Sequence, residues 1–142
     1  MNRGEVYFLL STPEDFDPDI ITAQLGIEPT GIVRRAEPRP RMNAWRLSSG
    51  TVQDDPDNNT FVDIYPMARS VIDRLAPRAD TINVLMNQYG LAARLQVVLY
   101  ISWDGDDIRS APPIGFDEAT VAFLAKVGAY IDVDSYKAQV GA

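Results

Sequence analysis

The chain has 142 residues, 46% of them hydrophobic and 23% charged, which is enough for one hydrophobic core without metal or disulfide staples. It contains no cysteine and no histidine, which excludes disulfides, thiolate zinc sites, cysteine nucleophiles and any triad that relies on an imidazole. A net charge of −7 opposes nonspecific binding to DNA or anionic lipid, and no apolar run approaches the roughly 20 residues of a membrane-spanning helix.

Glu5 to Ser11 is apolar on both faces (Val6, Phe8 and Leu10 on one, Tyr7 and Leu9 on the other), which predicts a central strand. Phe16-Asp17-Pro18-Asp19 has the chemistry of a helix start. Asp17 can cap free amides, Pro18 has a preset φ, Asp19 suits the helix dipole, and Phe16 with Ile21 forms a hydrophobic staple. Gly26 closes that helix and Thr30 to Arg35 reads as a short strand. Two prolines within Glu37-Pro38-Arg39-Pro40-Arg41 then force a loop. Asn43 to Ser48 alternates, with Trp45 and Leu47 on one face and Ala44, Arg46 and Ser48 on the other, so the loop reads as the connection of a β-hairpin. Gly50 to Asn59 is polar and turn-rich, and Asn58-Asn59-Thr60 reads as a turn and helix cap.

A helix is expected from about Pro66 to Leu75, with extension upstream left open by Phe61, Ile64 and Tyr65, and ended by Pro77. A second one, capped by Asp80 and stopped at Gly90, buries Ile82, Leu85, Met86 and Tyr89. The strongest strand signal follows. Leu91, Ala93, Leu95, Val97, Leu99, Ile101 and Trp103 share one face, opposite Arg94, Gln96 and Ser102. Asp104-Gly105-Asp106-Asp107 breaks this strand; its carboxylates suit a turn better than a calcium loop, which would need a later glycine and a terminal glutamate. Asp117 caps a last helix whose expected buried stripe is Val121, Leu124 and Ala125, Gly128 ends it, and Ala129 to Ser135 forms a strand with Ile131 and Val133 inward. The order β-α-β-β-α-α-β-α-β predicts a single α+β domain over residues 1–142, with helices on one face of a mainly antiparallel sheet.

Five of the thirteen basic side chains fall within one stretch: Arg34, Arg35, Arg39, Arg41 and Arg46. With Glu37 as its only acid, the stretch carries +4 in a chain of −7. Guanidinium groups hold carboxylates and phosphates in a two-pronged fork. Arg34, Arg35, Arg39 and Arg41, with Trp45 as a stacking wall, are therefore the candidate ligand-binding residues. The competing reading is a solvated loop with Trp45 in the core, and strand alternation, which opposes Trp45 to Arg46, favours it. The patch is too short, and the chain too acidic, for nucleic acid. Asp132 and Asp134 share a strand face about 7 Å apart. That spacing suits paired-carboxylate chemistry; the favoured readings are neighbouring acids on an exposed strand face, or structural pairing with Arg46 or Arg94 across the sheet.

Leu25-Gly26-Ile27-Glu28-Pro29-Thr30, followed by a basic stretch and Trp45, resembles the domain of unknown function 4279 family. So does Gly128-Ala129-Tyr130-Ile131-Asp132-Val133-Asp134-Ser135-Tyr136, and the Phe8 strand, the Asp17 helix start and Pro77 fall in matching order. The resemblance implies a compact bacterial α+β domain without an established activity. The absence of histidine, cysteine and a phosphate loop points to a noncatalytic module in the cytoplasm that binds a protein partner; an immunity-like or accessory role is what analogy with small acidic bacterial domains of this sort implies. Small-anion binding through the Arg34–Arg46 segment is the alternative, and a carboxylate-based enzyme a third. No metal or cofactor is expected, and neither nucleic acid nor membrane is an expected partner.

Overall fold

In the computed structural model, which describes residues 1–102 and 111–138, the elements run β1 (Arg3–Thr12), α1 (Asp19–Leu25), β2 (Gly31–Val33), β3 (Asn43–Gln53), α2 (Ile64–Leu75), α3 (Ala79–Tyr89), β4 (Ala92–Ile101), α4 (Glu118–Val127) and β5 (Tyr130–Lys137). This is the order expected from the sequence. The strands form one five-stranded sheet in the order β2-β3-β1-β4-β5. Every neighbouring pair is antiparallel except β4 and β5. A parallel pair needs a long crossover, and α4 lies within the connection. The fold is α+β, and β1 is central as its two apolar faces require.

Helices cover one side of the sheet. Val6, Phe8 and Leu10 of β1 point to that side and are fully buried, as are Trp45 and Leu47 of β3 and Leu95, Val97 and Leu99 of β4. From the helices come Ile21, Leu25, Ile64, Ile72, Leu75 and Ile82. Ile101 is half-buried at the end of β4; Trp103 and the Asp104–Asp107 turn lie outside the described residues.

The helix starts follow from side-chain chemistry, with local shifts from expectation. Asp17 accepts from the Asp19 amide at 3.0 Å, and Asp117 accepts from the Thr120 amide at 2.9 Å. α2 begins at Ile64, two residues before Pro66, because Asp63 accepts from the Tyr65 amide at 3.1 Å. Pro66 then sits in the first turn, where no amide is needed. Asp63, and not Thr60, is the cap; Thr60 pairs instead with Asp55 across the preceding turn. α3 begins at Ala79, with Asp80 inside its first turn.

Two apolar faces are corrected. On α4, Val121 and Ala125 are exposed, and the buried stripe is Thr120, Phe123, Leu124 and Val127. α4 packs against α2 and α3, and Phe123 reaches Phe8 with ring centroids 5.7 Å apart. On β5, Ile131 and Val133 point to the helix side, yet remain 38% and 42% exposed. β5 is the edge of the sheet, and the helical layer stops short of covering it.

Gly4 sits where β1 passes beneath the chain leading into α2. A Cβ there would lie 2.9 Å from Cγ1 of buried Val62 and 3.2 Å from Cδ2 of buried Leu99. Overpacking of this kind costs about 1–3 kcal/mol. Gly4→Ala is therefore expected to lower the urea midpoint with an unchanged slope; an unchanged midpoint would show that the space above Gly4 is not closed.

Candidate functional site

The arginine segment does not gather on one surface. Arg34 donates to Asp17 Oδ1 at 3.0 Å and to Asp19 Oδ2 at 2.9 Å, tying the β2 end to the start of α1. These hydrogen bonds, the Arg34 one first and the Asp19 amide second, hold the Asp17 carboxyl below its ordinary pKa. Arg35 donates from Nη1 to the Pro13 carbonyl at 2.7 Å. The Arg35 amide donates to Asn43 Oδ1 at 2.8 Å, and buried Asn43 donates to the Glu14 carbonyl at 2.9 Å, so the base of the hairpin loop is locked against the β1–α1 connection. Arg39 and Arg41 project from the loop and are exposed, without a side-chain partner among the described residues.

Trp45 and Arg46 diverge as alternation requires. Trp45 is fully buried and donates from Nε1 to Thr22 Oγ1 at 3.1 Å; no ligand can stack on it from solvent. Arg46 lies on the opposite side of the sheet, with its guanidinium 4.7 Å from the Tyr7 ring centroid and 3.9 Å from Glu5 Oε2.

That opposite side is the most distinctive surface of the protein, because no helix among the described residues covers it. Strand pairing arranges it in rows. One row runs Arg46, Leu9, Arg94, Tyr130; the next Ser48, Tyr7, Gln96, Asp132; the next Thr51, Glu5, Val98, Asp134; and the last Gln53, Arg3, Tyr100, Tyr136. A bulge keeps the rows continuous. Between the Glu5–Thr51 and Tyr7–Ser48 pairs β3 carries one extra residue, with Gly50 at φ 83°. The positive φ that Gly50 adopts in this bulge is one that favours glycine. The Val6 amide at this step donates to Ser49 Oγ at 3.1 Å and is not orphaned.

Long side chains shield the middle of this surface. Leu9, flanked by Arg46 and Arg94, is only 6% exposed although it faces away from the helices. The stems of arginine side chains cover apolar surface in this way. The Nε of Arg94 is buried without a hydrogen-bond partner among the described residues. Asp132 and Asp134 do not pair with either arginine proposed from the sequence. Gln96 stands beside them instead, donating to Asp134 Oδ2 at 3.1 Å and to the Asp132 carbonyl at 3.3 Å. Arg46 is on β3, too far across the sheet for β5, and takes Glu5.

Tyr7, Tyr100, Tyr130, Tyr136 and Arg3 were not candidates from the sequence. The signal for them was the minor face of β1 and β4, where Tyr7, Arg94 and Gln96 alternate with core residues. Among the described residues, no group of three or more acidic side chains is placed to hold a metal ion, and no helix is long and apolar enough to cross a membrane.

Fold and site together define an α+β protein whose described helices occupy one side of the sheet and leave the other as a face of mixed charge. A family model described as "Domain of unknown function (DUF4279)" matches residues 2–138, and the chain belongs to that family. No curated protein and no solved structure matches the chain.

Proposed function

We propose that the protein is a noncatalytic module that binds a protein partner through the open face of its sheet, acting as an accessory or immunity-like factor. The observation that carries this reading is the charge and composition of that face. Its strand residues include Arg3, Arg46 and Arg94 against Glu5, Asp132 and Asp134, so the face is neutral while the chain carries −7. The excess negative charge therefore resides elsewhere and keeps the other surfaces solvated, whereas the neutral face approaches a second protein without net repulsion. Tyrosine and arginine are the residue types that dominate binding energy at interfaces. Tyr130 and Tyr136 are 55% and 51% exposed, available as apolar anchors with a polar tip. The partner surface that fits has an apolar centre and charges of both signs. In this reading Asp132 and Asp134 serve recognition and sheet structure, and the unpaired Arg39 and Arg41 lie outside the contact.

Purification from the native host tests this with three tagged forms: the unaltered chain, a Tyr130→Asp, Arg46→Glu variant, and a Val84→Glu variant on the helical side, where Val84 is 61% exposed. The unaltered chain and Val84→Glu are expected to retain one stoichiometric protein, and the open-face variant to lose it. Retention by the open-face variant, or repeated recovery of the unaltered chain alone, would overturn the proposal.

A further inference from the structure

We propose that the Arg3 end of the sheet holds a binding site for a small ligand that combines a flat ring with an anionic group. A hollow of about 500 Å³ opens there, lined by Arg3, Gln53, Tyr100, Tyr136 and Lys137 among others. That volume falls within the range of ordinary small-molecule sites, about 300–1,000 Å³. Its chemistry is one-sided. Arg3 and Lys137 supply two cations, and among the described residues no carboxylate lines the hollow. Neither cation meets a carboxylate elsewhere among the described residues. Arg3 instead lies with its guanidinium carbon 4.2 Å from the Tyr100 ring centroid.

The aromatic element is equally defined. Tyr100 and Tyr136, paired across β4 and β5, stack with centroids 5.4 Å apart and 26° between ring planes. Stacked on each other, with Arg3 against Tyr100, the two rings offer their edges to the hollow, and a flat ligand ring meets them edge to face. Held against Tyr100, the Arg3 guanidinium offers its remaining N–H groups in the fork that fits a carboxylate or phosphate. A smaller recess of about 230 Å³ adjoins on the far side of Arg3 and Tyr100 and includes Glu5. Glu5 is drawn away from the larger hollow, accepting from Ser48 Oγ at 2.6 Å and lying beside Arg46. It does not cancel the positive charge at Arg3.

Two sources of such a ligand share this chemistry: a nucleoside monophosphate and an aromatic carboxylate. The site does not depend on the partner proposed above, since it uses the last row of the face and is read with the purified protein alone. Calorimetric titration with AMP, benzoate, adenosine and inorganic phosphate separates the elements. At least one of AMP and benzoate is expected to bind, and which of them does names the source. Adenosine, lacking the anion, and phosphate, lacking the ring, are each expected to bind at least tenfold more weakly. Arg3→Gln and Lys137→Gln, both at exposed positions, are expected to weaken the flat anion about tenfold, the loss of one charge-assisted contact. Tyr136→Leu removes one of the two rings and is expected to weaken it as well. Arg41→Gln, in the hairpin loop, is the control and leaves affinity unchanged. Failure of both AMP and benzoate to bind the unaltered chain would overturn the proposal. So would equal binding of AMP and adenosine, or a loss with Arg41→Gln that Arg3→Gln does not share.

Discussion

Trp45→Ala is expected to lower the unfolding free energy by about 3–5 kcal/mol, the range for truncating a large buried aromatic side chain. Trp45 is among the largest fully buried side chains of the protein. It sits opposite Leu10 of β1 on one side and Ile32 of β2 on the other, and its indole N–H reaches Thr22 of α1. Truncation would leave a cavity beneath α1 that the surrounding sheet cannot close. The loss is a large share of the total for a domain of this size, about 5–15 kcal/mol. Trp45→Phe keeps much of the volume and removes the donor to Thr22, so about 1–3 kcal/mol is expected. Urea unfolding monitored by far-UV circular dichroism would read both as lower midpoints with an unchanged slope. The comparison also separates two roles for this ring. A tryptophan standing ready for a ligand on the arginine loop would contribute little to the folded state, and Trp45→Ala would cost less than about 1 kcal/mol, as surface substitutions generally cost about half of that or less. A loss that small would put Trp45 outside the core.

How far the sequence carried this picture depends on how local each determinant is. The opposition of Trp45 to Arg46 needs only two adjacent residues in a strand, and alternation of period two settles it. The caps at Asp17 and Asp117 need three residues, and both form. The β4 face from Leu91 to Leu99 was equally legible, because one long run of alternation leaves no competing period. The stripe of α4 was not. Glu118 to Val127 is apolar at Val121, Phe123, Leu124 and Val127 together, so two overlapping stripes satisfy helical periodicity. The choice is made by elements distant in sequence: α2 and α3, against which α4 packs, and Phe8, more than a hundred residues upstream. Ile131 and Val133 show a similar limit: their alternation gives the side of the sheet, while their exposure depends on β5 being an edge, a property of the whole strand order.

The functional surface illustrates this most clearly. Arg34, Arg35, Arg39, Arg41 and Arg46 are close in sequence, yet they are drawn to α1, to the β1–α1 connection, into the loop and to the open face in turn. Arg3, Tyr100 and Tyr136 are distant in sequence, yet strand pairing sets them in a single row. Clustering along a chain measures nothing about convergence once a hairpin has turned alternate side chains to opposite sides of a sheet. Register, fixed only when every strand has found its neighbours, decides which charges share a surface.

Phe8→Ala is the second substitution expected to cost about 3–5 kcal/mol, and its coupling to Phe123 carries more information than the loss itself. Phe8 is fully buried in the central strand, and Phe123 is 5% exposed on α4. Their rings meet edge to face, at 62° between planes. Such pairs contribute about 0.5–1.5 kcal/mol beyond the area they bury. A double-mutant cycle on Phe8→Leu and Phe123→Leu isolates that term while retaining most of the packed volume. The sum of the single losses is expected to exceed the double loss by about 0.5–1.5 kcal/mol. Strict additivity would mean that α4 does not rest on β1 through these rings. The pair also bears on the open face from behind. α4 runs through Gly128, at φ 68°, directly into β5, and β5 supplies Tyr130, Asp132, Asp134 and Tyr136 to that face. Among the described residues β5 has one strand neighbour, so the anchoring of α4 adds to the Gln96–Asp134 hydrogen bond and the Tyr100–Tyr136 stack in fixing where those side chains stand. Phe123→Leu should therefore loosen the Tyr100–Tyr136 row as well as lower stability. Amide hydrogen exchange along β5 would rise in that variant while exchange in the middle of β1 follows global unfolding; equal protection in both strands would show that β5 holds its place without α4.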